Sequence, residues 1–311
     1  MKWAAALWCY AMSVNMRSDC SRILKLALAL AFLSIGRLQA QDEAWNLLGE
    51  TPPGDTPVPF PLPASPGNFA AERIAISHDR RTIYYTELNG YNAGTFSRLM
   101  VLTCKGASWS SPSLVLSGRG LLAPAFASGE DGLLLDGKIT SRGSQGWAEP
   151  TAFRHGEKCH YLQQTKTGRF YFSIANREET EWDIVRAAVP GSGAADEKLG
   201  LNIAMHPPFA GFDMDYYIAP DEAYMILMLS GARDFPCSGA SDLFITFSDL
   251  EGHWTKPRSL GAAVNPPGAN EWRWGPCVTD DGKYLFFTRD TGRGTHVYWM
   301  RFDELRERLS R

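Results

Sequence analysis

The chain reads as an all-β protein, a β-propeller of four-stranded blades, on three observations. A polar turn followed by an apolar strand recurs five times, strand-forming aromatics are abundant, and long helical periodicity is missing. The clearest copy is Val278 to Thr288, VTDDGKYLFFT. The others are ISHDRRTIYYT from Ile76, FASGEDGLLLD from Phe126, QTKTGRFYFS from Gln164 and IAPDEAYMILML from Ile218. Aligned on the residue before the turn, they register at Ser77, Ala127, Thr165, Ala219 and Thr279, with spacings of 50, 38, 54 and 60 residues. Such intervals hold about four short strands with their loops, roughly the 40–50 residues of a blade. One small antiparallel sheet cannot cover its own apolar faces, so the sheets must stack around a ring. Five units are visible, which gives five or six blades.

Length and composition fit one repeat-built domain of 311 residues, with ten Trp, eleven Tyr and sixteen Phe to fill strands. Residues 1–40 read as a secretory signal: Arg17, Arg22 and Lys25 precede an apolar run from Leu26 to Ile35, and Met16 is an alternative start. Its removal takes five Lys/Arg and one Asp and leaves a formal charge of −7. Such a surface offers nothing to nucleic acid. The expected location is periplasmic or secreted, with no transmembrane domain in the mature chain, and the protein reads as a monomer. Cys104, Cys159, Cys237 and Cys277 remain in that oxidising compartment. Three pairings are open to them, and Cys237 with Cys277 is the least strained.

Residues 41–66 form an N-terminal extension dense in Pro. A second mark follows three of the turns, a Trp with Pro three residues later: Trp109 and Pro112, Trp147 and Pro150, Trp254 and Pro257. It opens the outer, fourth strand, where Pro is tolerated because an edge leaves N–H groups unpaired. The last unit has no such strand after Val297 to Arg301. Thr56 to Leu62, TPVPFPL, is expected to supply it and so close the ring through both termini. The propeller itself is assigned to 67–302, and a short charged helix to 303–311.

Asn270, Glu271, Pro276 and the run from Asp281 to Phe287, with Ser241-Asp242-Leu243, WTKPRSL from Trp254 and the Pro-rich entry, carry a family likeness. On these residues the chain resembles the bacterial WD-like β-propeller repeat family grouped with the TolB-type propellers of the cell envelope. The resemblance implies an envelope propeller, usually of six blades. Arg80, Glu130 and Glu222 depart from it by replacing the turn Gly.

In a blade the innermost strand precedes the turn, so side chains four to eight places before each registered position face the channel or its mouth. These are Glu72 and Arg73, His160, Asp213 and Asp215, and Glu271 and Arg273, with Trp272 beside them. Mixed charges around a channel commonly pair and hold water. With aromatic companions such as Trp272, Trp274, Phe212 and Tyr216, they also suit a sugar or peptide. No Gly-x-Ser-x-Gly elbow, phosphate loop or His pair occurs, so no catalytic residue, cofactor or metal is expected. The expectation is an exported, non-catalytic propeller that binds a protein partner or a glycan or peptide fragment at its channel mouth. The alternative is an envelope carbohydrate hydrolase or lyase that uses channel carboxylates such as Asp215 and Glu271.

Overall fold

The computed structural model describes residues 47–91, 96–127, 129–154, 159–175, 182–187, 195–199, 215–230, 240–249 and 251–311. The expected signal, Cys237, Asp213 and Phe212 lie outside them. Leu47–Gly49 form one turn of 3-10 helix in a short unit separate from Pro52–Arg311.

Five antiparallel blades make a five-bladed propeller. Their inner strands are Phe69–Ile76, Ala125–Phe126, Cys159–Gln164, Tyr216–Ile218 and Trp272–Val278, which define blades 1 to 5. The second strands, Thr82–Leu88, Gly132–Leu135, Phe170–Ala175, Tyr224–Leu229 and Tyr284–Asp290, carry the apolar runs read from the repeat. In blades 1 and 2 the Trp-Pro mark splits the outer strand into two separate pairings. Blade 5 takes its fourth strand from the N-terminal side: Val58 pairs Trp299, and Pro59 pairs Tyr298. The expected closure is therefore present, and it sets the blade number at five. The chain then ends in the helix Asp303–Ser310. No helix among the described residues is long and apolar enough to cross a membrane.

The core lies between blades rather than inside one. Tyr84 and Leu99 of blade 1 pack with Leu133 and Leu135 of blade 2. Leu134 packs with Leu162 and Phe172 of blade 3, and Tyr171 and Ile184 pack with Ile218, Met225 and Leu227 of blade 4. At the closure Phe60 sits 5.1 Å from Phe286 and 5.2 Å from Trp299. Each such side chain contributes about 1.5–3 kcal/mol on burial.

The turns explain the missing glycines. Arg80, Glu130 and Glu222 adopt φ of 59°, 61° and 61°, the left-handed conformation that Gly168 and Gly282 take in blades 3 and 5. Their strain is offset by reach. Arg80 pairs with Asp281 of blade 5 at 3.2 Å, and Glu130 accepts the His78 N–H of blade 1. Glu222 accepts Tyr171 Oη at 2.7 Å and Arg169 at 3.0 Å, both in blade 3. A glycine could make none of these bridges between neighbouring blades. In blade 5 the turn keeps Gly282, and the Arg306 guanidinium of the terminal helix lies over it, 2.5 Å from where a Cβ would stand.

The cysteines do not follow the favoured pairing. Cys277 carries a free thiol, and burial in the inner strand of blade 5 pushes it up to about 12.

Candidate active site

At the end of the ring where inner strands begin and second strands finish, a cavity of about 500 Å³ opens. Its floor holds Glu72, Tyr161 and Asp215, its walls include Tyr91, Trp272, Trp274, Leu122 and Met228, and Asp136, His160 and Asp290 complete the lining. The two core carboxyls come from opposite parts of the ring, blade 1 and blade 4.

Local backbone places them. Antiparallel pairing in blade 1 is interrupted between Ala71 and Ala75, and Glu72 sits there at φ 72°. Blade 3 breaks its register between His160 and Gln163, with Tyr161 at φ 51°. Left-handed residues in such bulges cost about 1–3 kcal/mol and re-aim a side chain out of the strand's alternation. Blade 5 has its own irregularity between Trp274 and Cys277, at Gly275 with φ 60°. A Cβ there would meet Arg73 N at 2.6 Å and the Glu72 carbonyl carbon at 2.7 Å. Only glycine lets the last blade come this close to the backbone that carries Glu72.

Three donors converge on Glu72. Tyr91 Oη lies 2.7 Å and Trp274 Nε1 3.1 Å from its Oε1, and the Tyr161 hydroxyl donates to Oε2. Burial nevertheless raises the carboxyl above its ordinary range, against these three hydrogen bonds and with the help of Asp136. Asp215 is held well above the usual carboxylate range, first by burial and then by the charge of Glu72. It is 4 % exposed, and its Oδ1 has no hydrogen-bond partner among the described residues. Two buried carboxyls that repel one another share protons as a pair. Three donors favour the ionised form of Glu72 over that of Asp215, whose Oδ1 has none. Burial likewise drives the Tyr161 and Tyr91 hydroxyls well above their ordinary range, so both act as donors. Beside them His160 Nδ1 contacts Asp136 Oδ1 at 2.7 Å.

Of the residues selected from sequence, Glu72, His160, Asp215 and Trp272 meet in this cavity. Arg73 does not line it. Its fully buried guanidinium turns under the floor and donates to Ala123 O at 2.7 Å, Leu162 O at 2.9 Å, Pro124 O at 3.3 Å and Tyr161 O at 3.4 Å. It is a pin that ties blade 1 to blades 2 and 3. Glu271 and Arg273 also stand apart from the lining, in an ion-pair network between blades 4 and 5. Arg273 pairs with Asp242 at 3.1 Å and Glu271 at 2.6 Å. Arg289 grips Glu271 through two bonds of 2.7 and 2.9 Å. These bonds hold the Glu271 carboxyl below its ordinary range, which is unsuited to acid work near neutrality. Asp213 lies outside the described residues.

Asp136, Tyr91, Tyr161 and Asp290 escaped the sequence reading. Tyr161 is one residue after His160 and reaches the floor only because of the bulge. Asp136 and Asp290 close second strands, and in an antiparallel hairpin that end lies beside the start of the inner strand, as Trp272 pairs with Asp290. A count forward from each turn, as well as backward, would have found them. Asp249, Glu251 and His253 gather separately as three exposed potential metal donors on a turn.

No family model matches this chain, and no curated protein does. Among solved structures it is similar to the periplasmic gluconolactonase of Pseudomonas aeruginosa at 12% identity, TM-score 0.41, over 70% of this chain and 64% of that one. It is similar to the catalytic domain of the Coprinopsis cinerea GH62 α-L-arabinofuranosidase at 12% identity, TM-score 0.47, over 80% and 97%. A GH43_12 protein from a capybara gut metagenome gives 12% identity, TM-score 0.43, over 81% and 58%. The likeness at this identity is one of chain trace and assigns no activity.

Proposed function

We propose that the cavity is the active site of a carbohydrate-active hydrolase, with Asp215 as general acid and Glu72 as its charged partner. The observation that carries this reading is the pair itself: two buried carboxyls, one with three donors and one with an unpartnered oxygen, in a cavity walled by aromatic rings. Opposed environments of this kind assign acid and base roles to chemically similar groups. Trp272, 46 % exposed at the rim, and Tyr91, 50 % exposed, offer flat faces on which a sugar ring stacks.

In the proposed step Asp215 gives its proton to the glycosidic oxygen as the bond from that oxygen to the anomeric carbon breaks. The Glu72 carboxylate accepts a proton from the water that adds to the anomeric carbon, so one bond is exchanged for another and the pair regains its single proton. An export signal at 1–40 would set this chemistry in the cell envelope, which is part of the same proposal.

Reducing-end release from a panel of aryl glycosides and cell-wall and plant polysaccharides tests the reading. Glu72→Gln and Asp215→Asn should each lower turnover by about 10²-fold or more, the scale of general acid–base catalysis. Full activity in both variants overturns it. Oligosaccharide binding without any turnover would instead support a non-catalytic binder.

A further inference from the structure

We propose that the substrate carries a positive charge: the cavity is built for an amino sugar with an unsubstituted, protonated amine. This rests on the carbohydrate reading above and narrows it.

The argument is one of charge and of what is unsatisfied. Among the described lining residues four are carboxyls, Glu72, Asp136, Asp215 and Asp290, and none is Lys or Arg. Arg73, a buried cation of the same inner strand as Glu72, spends its donors on backbone carbonyls beneath the floor. His160, the remaining basic lining residue, engages Asp136. A uronic acid, a phosphate or any other anion would thus enter a site that repels it. A neutral sugar would bring no charge to offset the buried Glu72 carboxylate.

A primary ammonium answers both conditions. It supplies an N–H donor to the unpartnered Asp215 Oδ1, and its charge offsets the Glu72 carboxylate in a cavity where little water screens it. The aromatic walls act in the same direction. Trp272 and Tyr91 present half-exposed rings beside these carboxyls, and ring faces attract ammonium groups more strongly than uncharged ones. N-acetylation removes the charge and adds an acyl group, so the same sugar in its acetylated form lacks every one of these attractions.

Isothermal titration of the intact protein with three soluble oligosaccharides of equal length provides the test: β-1,4 glucosamine, its N-acetylated counterpart and the neutral β-1,4 glucose oligomer. The glucosamine oligomer should bind at least tenfold more tightly than either of the others at pH 6 and 50 mM salt, with that preference shrinking as salt rises. Asp215→Asn should cut the preference severalfold, and its thermal melt reports whether it is folded. Equal binding of charged and neutral oligomers overturns the amine inference, and cleavage of neutral glycosides in that case leaves the hydrolase reading intact. A tenfold preference for the amine without cleavage sustains this inference and removes the hydrolase reading. Failure to bind any of the three overturns the amine inference, and turnover on the glycoside panel then decides the hydrolase reading separately.

Discussion

Trp274 Nε1 donates to Glu72 Oε1 at 3.1 Å across the seam where the last blade meets the first. The two residues stand 202 positions apart in the chain, and closure of the ring alone brings them together. Their bond links the stability of the seam to the charge of the floor. A donor to a carboxylate favours its ionised form, so loss of the indole N–H raises the Glu72 carboxyl further. For an enzyme that needs Glu72 charged, the acid limb of the pH–rate profile moves upward. Trp274→Phe should shift that limb by about one pH unit, since a hydrogen bond to a charged group contributes about 1.5–3 kcal/mol and one unit is 1.36 kcal/mol.

Asp215 should make the protein less stable at neutral pH than it would otherwise be. Its carboxyl is raised in the folded state, so between the ordinary carboxylate range and that raised value the folded protein binds more protons than the unfolded one. Stability therefore falls as pH rises through this window. Asp215→Asn should raise Tm at pH 7.5 and give no gain at pH 4, as measured by differential scanning calorimetry.

Gly275→Ala should disturb the floor without touching a functional group. The new Cβ would collide with the backbone of Glu72 and Arg73 at φ 60°, at an expected cost of about 3 kcal/mol or more. Gly268 has φ 75° with nothing within 4 Å of a Cβ, so Gly268→Ala isolates the conformational cost alone, about 1–2 kcal/mol. Denaturant melts of the two variants should differ by the price of the close approach.

Phe60 is 3 % exposed against Phe286 and Trp299, and its N–H bonds Val297 O at 2.8 Å. Phe60→Ala should cost about 3–5 kcal/mol, the range for buried aromatic truncation. Deletion of residues 52–62 should lower Tm more, because it also exposes the edge of Thr295–Arg301. An unchanged melt would reduce this segment to a linker.

Arg273→Met should separate structure from function at the residues that sequence alone favoured. It leaves Asp242 and Glu271 without their shared cation in a buried setting, which costs about 3–5 kcal/mol when one partner of a buried pair is removed. Turnover per folded molecule should stay within a factor of two, since none of these groups lines the cavity. A large loss in turnover with an unchanged melt would return Arg273 and Glu271 to the site.

The fold was legible because the repeat is a local signal. The turn sequences of Asp79 and Asp281 use the same chemistry, each carboxyl accepting a backbone N–H two residues on, from Arg81 and Lys283 at 3.0 Å. The following apolar run must be buried on both faces, which fixes the stacking of blades. The expectation that TPVPFPL completes the last sheet also followed from sequence, because a missing outer strand and an unassigned extended segment answer each other.

The site was only half legible, for a reason that Glu72 and Glu271 show well. Both are acidic and lie on the inner-strand side of a turn, five and eight residues before Ser77 and Thr279, and alternation along a strand cannot rank them. Glu72 lies in a left-handed bulge and reaches the floor, whereas Glu271 meets Arg289 and Arg273 and is neutralised. Bulges and cross-blade partners depend on how closely neighbouring backbones approach. Sequence by itself determined the blades, their turns and the ring's closing strand, since each is encoded within a few residues by burial and turn chemistry. Tertiary structure alone decided that Glu72 and Asp215 share one desolvated cavity while Arg73 is consumed beneath it, because charge and proton affinity are set by neighbours brought in from distant blades.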